Sequence, residues 1–181
     1  MRGSQFSKGL SIQLVAQRHE LYEKTLAALS NRSSLVVCGR TRAGPPGFEH
    51  WTPASLKHFE SKMHADASTD PHHFAVELLA DFPNDSAMLV HRESDGQAEW
   101  HETQVDVFFV QSGSATLLIG GTLVNGETVG PHEKRNGTIQ GGVRRKISAG
   151  DVVRIPPGVP HQLWLEGAPE FNYFVIKVKG Y

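Results

Sequence analysis

The sequence predicts a mainly β protein: an antiparallel sandwich or barrel of short strands, with a helical extension at its N-terminus. Three observations predict it. From Phe74 onward, eight or so short apolar segments alternate with turn-forming residues, and no helical segment intervenes. Before that point, apolar residues recur at helical spacing. The length, 181 residues, suits one domain with a terminal extension and leaves room for a substantial core.

The elements follow in order. Residues 10–30 place Leu14, Leu21, Leu26 and Leu29 at amphipathic-helix spacing, with charges between them. The stretch "RTRAGPPGFEHW" then breaks regular structure. Thr52 and Pro53 form a helix start, a hydroxyl N-cap followed by proline at the first helical position. That helix is expected to run to about Met63, with Leu56, Phe59 and Met63 on one face. "HADASTDPHH" reads as a polar linker, in which His72 and His73 would point to opposite sides of an extended chain. Residues 1–70 are therefore expected to form a helical extension packed on the barrel or on a second subunit, and residues 71–181 the barrel itself.

Strands are expected at "FAVELLADF", "AMLVHRE", "VDVFFVQ", "ATLLIGGTLV", "VRRKIS", "VVRI", "HQLWLEG" and "FNYFVIKVK". The glycine-rich stretch between the fourth and fifth reads as a long loop, with "HEKR" (residues 132–135) at its solvated tip. Its glycines precede no helix, so it is a poor phosphate cradle.

Composition excludes several classes. Hydrophobic residues make up 39% and charged residues 20%, ordinary values for a globular protein. A net charge of −1 gives no reason to expect nucleic acid or a membrane surface as partner. The single cysteine, Cys38, excludes an internal disulfide and reads as a small buried apolar residue. No stretch approaches the roughly 20 apolar residues of a membrane span. The N-terminus lacks a long apolar centre and a clear cleavage site, so a cytoplasmic protein is expected. Ten histidines invite a search for a metal site.

Two segments answer that search. In "GDVVRIPPGVPHQLW", Gly150 and Asp151 make a turn, a short strand follows, and "PPGVP" forces a rigid reversal that delivers His161. A ligand on a stiff support loses little entropy on binding. In "AEWHETQVDVFFVQSG", Glu99, His101, Glu102 and Asp106 precede an apolar run that ends at Gly113. Glu99, His101 and Thr103 share one face of an extended strand, and Asp106 has the opposite parity. Asp106 joins them if the chain bulges between Glu102 and Val105; otherwise it points away.

Gly150, Pro156, Gly158 and His161 match the spacing of the second motif of the cupin superfamily, which this sequence resembles over about residues 74–179. Leu165 stands where that motif often has asparagine. The first motif usually reads His-x-His, three or four residues, Glu, six residues, Gly. Here His101 and Gly113 hold their places, while Glu99 and Asp106 replace the first histidine and the glutamate. The resemblance implies a small cupin-type jelly-roll barrel, and barrels of this kind commonly form homodimers.

Glu99, His101, Asp106 and His161 would together offer two imidazole nitrogens and two carboxylate oxygens. That mixture suits Fe, Mn, Ni or Zn better than an ion preferring thiolates. His101, Asp106 and His161 alone would form the two-histidine, one-carboxylate set of non-haem iron oxygenases. Alternatively the metal polarises a carbonyl, as in a lyase or isomerase, and Glu99 serves as the base. The leading expectation is a metal-dependent barrel acting on a small organic molecule. The competing one is a non-catalytic barrel that binds or senses a small molecule with a structural metal or none. Trp100, Trp164, Phe108, Phe109 and Tyr173 are expected mainly as core, and His91 as core or surface.

Overall fold

One long strand organises the fold. The structure, a computed structural model, describes residues 44–180; the helix expected over residues 10–30 and Cys38 lie outside the described residues. Among the described residues the elements are α1 (Pro53–Thr69), β1 (Phe74–Asp81), β2 (Asp85–Arg92), β3 (Glu99–His101), β4 (Gln104–Ile119), β5 (Thr122–Val124), β6 (Glu127–Gly130), β7 (Glu133–Arg135), β8 (Thr138–Gln140), β9 (Val143–Ser148), β10 (Val152–Ile155), β11 (His161–Trp164) and β12 (Phe171–Lys179).

The 16-residue β4 belongs to both walls of the barrel. Its first half pairs with β12 on one edge and β10 on the other, and its second half pairs with β11 and β9, all antiparallel. The sequence pattern predicts separate strands at "VDVFFVQ" and "ATLLIGGTLV"; instead the chain continues from one into the other through a bend. Gly113 makes the bend at φ +77°, where an added Cβ would stand 2.2 Å from the Glu170 carbonyl oxygen. One wall runs β1–β2–β12–β4, the other β4–β11–β3–β7–β6, and β5 and β8 form a separate pair. The architecture is the antiparallel barrel that the alternating pattern predicted.

Period-two alternation sorts the side chains into three apolar layers. Phe108, Val110, Leu117, Ile155, Leu163, Phe171, Tyr173 and Val175 fill the interior. On the outer face of the first wall, Ala75, Leu79, Ala87, Leu89 and Phe174 meet Met63 and Ala67 of α1. Outside the second wall, Ala98, Leu118 and Ile139 form a smaller cluster with Leu123 and Trp164.

Helix α1 starts as the sequence indicates: the Thr52 hydroxyl accepts from the Ser55 amide at 3.1 Å, and Pro53 follows. It runs beyond Met63 to Thr69 and stops where Asp70, constrained by the following Pro71, becomes extended at φ −77° and ψ 133°. No helix among the described residues is long and apolar enough to cross a membrane. The expected long loop differs most from its reading, because it contains β6, β7 and β8.

Candidate metal centre

Strand register assembles the site from two rows. In one wall, β11 pairs with β3 so that His161 lies opposite Glu99, and β7 sets Arg135 opposite Glu99 and Glu133 opposite His101. In the other wall, Asp106 of β4 lies opposite Lys177 of β12 and Ile155 of β10. Directly opposed residues share a face of the sheet, and both rows face the barrel interior. There the rows meet. His101 Nε2 is 3.5 Å from Glu99 Oε2 and 3.5 Å from Asp106 Oδ2, and His161 Nε2 is 3.6 Å from the same Asp106 oxygen.

The rigid turn before His161 is tied directly to the first histidine's strand. Gly158, at φ +73°, donates its N–H to the His101 carbonyl at 2.7 Å. The Trp100 indole donates to the Gly158 carbonyl at 3.0 Å. Trp100, expected mainly as core, thus fastens the two motifs together. His161 Nδ1 lies 3.2 Å from the Val159 carbonyl, so a neutral ring donates there and presents an Nε2 lone pair to the site. Burial lowers the proton affinity of His161, outweighing the nearby Glu99 and Asp106 carboxylates.

The parity question at Asp106 has a simple structural answer. Strand β3 ends at His101 and β4 begins at Gln104, so Glu102 and Thr103 form a break between strands rather than a bulge within one. Parity does not carry across that break, and Asp106 enters the interior with only 2% of its surface exposed. It arrives already partnered. The Lys177 ammonium donates to Asp106 Oδ1 at 2.8 Å and Oδ2 at 2.7 Å, and lies 3.2 Å from His101 Nε2.

Glu99 is also surrounded by cations. Arg135 approaches to 3.4 Å and Arg92 to 3.6 Å. Burial opposes ionisation of Glu99, but Arg135, the contact with His101, Lys177 and His161 outweigh it and hold the carboxyl well below its usual range. Arg135 Nε donates to Glu133 at 2.7 Å, and Glu133 reaches to 3.8 Å from His101 Nδ1. Beneath the polar groups lie Phe108, edge-on to His161 at 6.4 Å, and Tyr173, whose hydroxyl accepts from Arg92 Nε at 3.3 Å.

The structure therefore brings Glu99, His101, Asp106 and His161 together, and leaves Glu102 exposed beside His132. His91 is buried on the outer face, away from this site. Sequence reasoning missed Lys177, Arg92, Arg135 and Glu133. The one available signal was the alternation of "FNYFVIKVK", which puts Lys177 in phase with Phe171, Tyr173 and Val175.

The donors fit a borderline divalent ion. Glu99, His101 and His161 each offer a ligand atom, all within 4.8 Å of one another, and the mixture of imidazole and carboxylate matches such ions. Asp106 is the exception, because Lys177 engages both its oxygens.

The described residues thus combine an antiparallel barrel, a glycine–proline–glycine–histidine turn, and a carboxylate–histidine pair on the adjoining strand. No family model matches the chain, and no curated protein matches it. Among solved structures it is similar to the Cnp3 cupin domain of Schizosaccharomyces pombe, with a TM-score of 0.45 and 10% identity over 59% of this chain and 64% of that one. It is also similar to KdgF from a Halomonas species, with a TM-score of 0.45 and 17% identity over 62% and 84% of the two chains. A Cupin 2 conserved barrel protein from Salinispora arenicola gives a TM-score of 0.41 and 18% identity, covering 60% and 77%.

Proposed function

We propose that the barrel mouth binds a divalent metal ion through Glu99, His101 and His161 and acts on a small organic molecule there. The carrying observation is the convergence of these three donors within 4.8 Å, with His161 oriented by the Val159 carbonyl. When bound, such an ion supplies Lewis-acid polarisation of a substrate oxygen. The chain's own residues have separable tasks. Arg135, with His101, Lys177 and His161, keeps Glu99 ionised, which suits a ligand and makes it a weak general base. Lys177, held by Asp106, places a charged hydrogen-bond donor beside the donor set, suited to an anionic or carbonyl oxygen. Phe108 and Tyr173 give the site an apolar floor.

The test is metal titration of chelator-stripped protein, comparing wild type with His161→Ala and Glu99→Gln. Wild type is expected to bind one equivalent that both variants lose. Identical binding by all three would refute the reading.

One observation favours a second reading, a barrel that binds its ligand without metal: Lys177 already sets a positive charge against Asp106 and His101. Lys177→Met separates the two. If this site takes up metal only in that variant, the native site works without an ion.

A further inference from the structure

A second cluster of imidazoles and carboxylates lies on the outer face, where α1 meets the first wall. His64 comes from α1, His91 from β2, Glu93 from just beyond β2, and Glu170 from just before β12. His64, His91 and Glu170 each offer a ligand atom, all within 4.8 Å of one another. The two imidazole rings stand edge-to-face at 5.7 Å. Glu93 Oε1 lies between them, 2.7 Å from His64 Nδ1 and 3.1 Å from His91 Nε2.

Hydrogen bonding fixes the orientation of the His91 ring. His91 is 3% exposed, and its Nδ1 lies 2.6 Å from Asn172 Oδ1. Asn172 is oriented by its own amide group, which donates to Ser112 Oγ at 2.8 Å and to Glu170 Oε1 at 3.3 Å. Its carbonyl oxygen therefore faces His91, and His91 Nδ1 must carry the proton. Its Nε2 is then the ring atom left to face Glu93 and His64, on the side where the donors converge.

We propose that His64, His91 and Glu170, with Glu93 beside them, form a site for a borderline divalent cation such as Zn(II) or Ni(II). The donor chemistry matches those ions, and the Asn172–His91 contact is the kind of outer hydrogen bond that fixes a metal-binding imidazole. The placement gives the site a purpose. Of the 17 residues of α1, Met63 and Ala67 are buried and Leu56 and Phe59 pack half-buried against the same layer, and a shared ion adds a polar fastening between the helix and the barrel.

The test uses the full chain, stripped of metal, with Zn(II) or Ni(II) alone as probe and Co(II) absorption as a spectroscopic readout. His64→Ala changes a side chain that is 66% exposed and is expected to leave the fold intact. It is expected to weaken one equivalent of metal at least tenfold and to abolish part of the metal-induced rise in Tm; Glu170→Gln is expected to act in the same direction. His161→Ala is expected to retain this equivalent, which separates the outer site from the barrel mouth. Equal metal affinity, stoichiometry and Tm response in wild type, His64→Ala and Glu170→Gln would overturn the proposal and leave a hydrogen-bonded cluster without an ion.

Discussion

Neighbouring residues on the same two strands serve opposite faces of one wall, and the two faces treat polar groups differently. On β2, Arg92 turns inward to Tyr173 and Glu99, while His91 turns outward to Asn172 and Glu93. On β12, Tyr173 and Lys177 face the interior, and Asn172 and Phe174 face α1. Inside, the carboxylates lie against cations held by strand register: Asp106 on Lys177, Glu99 between two arginines. Outside, the network depends on a short helix and includes an exposed His64. The inner cluster is therefore rigid and intolerant of removing one partner, whereas the outer one can relax into solvent.

The largest expected effect follows from the inner pair. Asp106→Ala strips the partly buried Lys177 ammonium of both its carboxylate contacts, and breaking such a pair costs about 3–5 kcal/mol. Urea unfolding measures this, and adding Lys177→Met in the same chain is expected to recover most of the loss. If Asp106→Ala costs no more than a surface substitution, the inner cluster is not the rigid unit described here.

The outer counterpart is His91→Ala, which removes a buried ring but leaves Glu93 and Asn172 near solvent. About 1–3 kcal/mol is expected, from the groups left unpaired. A cost equal to that of Asp106→Ala would erase the contrast between the two faces.

How far the sequence revealed this contrast depends on the range of the interaction involved. His161 was legible because its support is local: Gly150, Pro156 and Gly158 shape the turn within eleven residues of it. His101 followed from its distance to Gly113, whose positive φ the bend requires. Asp106 was legible as a candidate, but its direction was not. The strand break at Glu102 and Thr103 has no strong turn residue to announce it. Lys177 was invisible as a site residue because its partner lies 71 residues away and only cross-strand register brings them together. The same holds for Arg135 and Glu133, which read as a loop tip because "HEKR" lacks the apolar alternation of a strand. The barrel was written in local pattern, whereas the charge pairing inside it is a property of register.

Acid is expected to expose the inner cluster in two stages. His161 binds protons more weakly folded than unfolded, so stability is constant above its ordinary value of 6.5 and falls as the pH drops below it toward the folded value. Glu99 is held below its ordinary value of 4.5, so its contribution persists above that pH and is lost as the pH falls further. Both stages lower stability on acidification. Urea midpoints measured across pH are expected to lose the first decline in His161→Asn and the second in Glu99→Gln. Unchanged profiles in both variants would show that other groups dominate acid unfolding.

The smallest effect tests how independently the outer layer stands. Thr52→Ala removes the hydroxyl that accepts from the Ser55 amide, a cap worth about 1 kcal/mol. Because the fully buried residues of α1, Met63 and Ala67, lie two turns or more beyond its start, that loss should fray the helix start without reaching the barrel. Hydrogen exchange should then speed up in the first turns of α1, with β4 and β12 amides unchanged. If β12 amides accelerate equally, α1 and the barrel unfold as one unit, and the outer face shares the rigidity assigned to the interior.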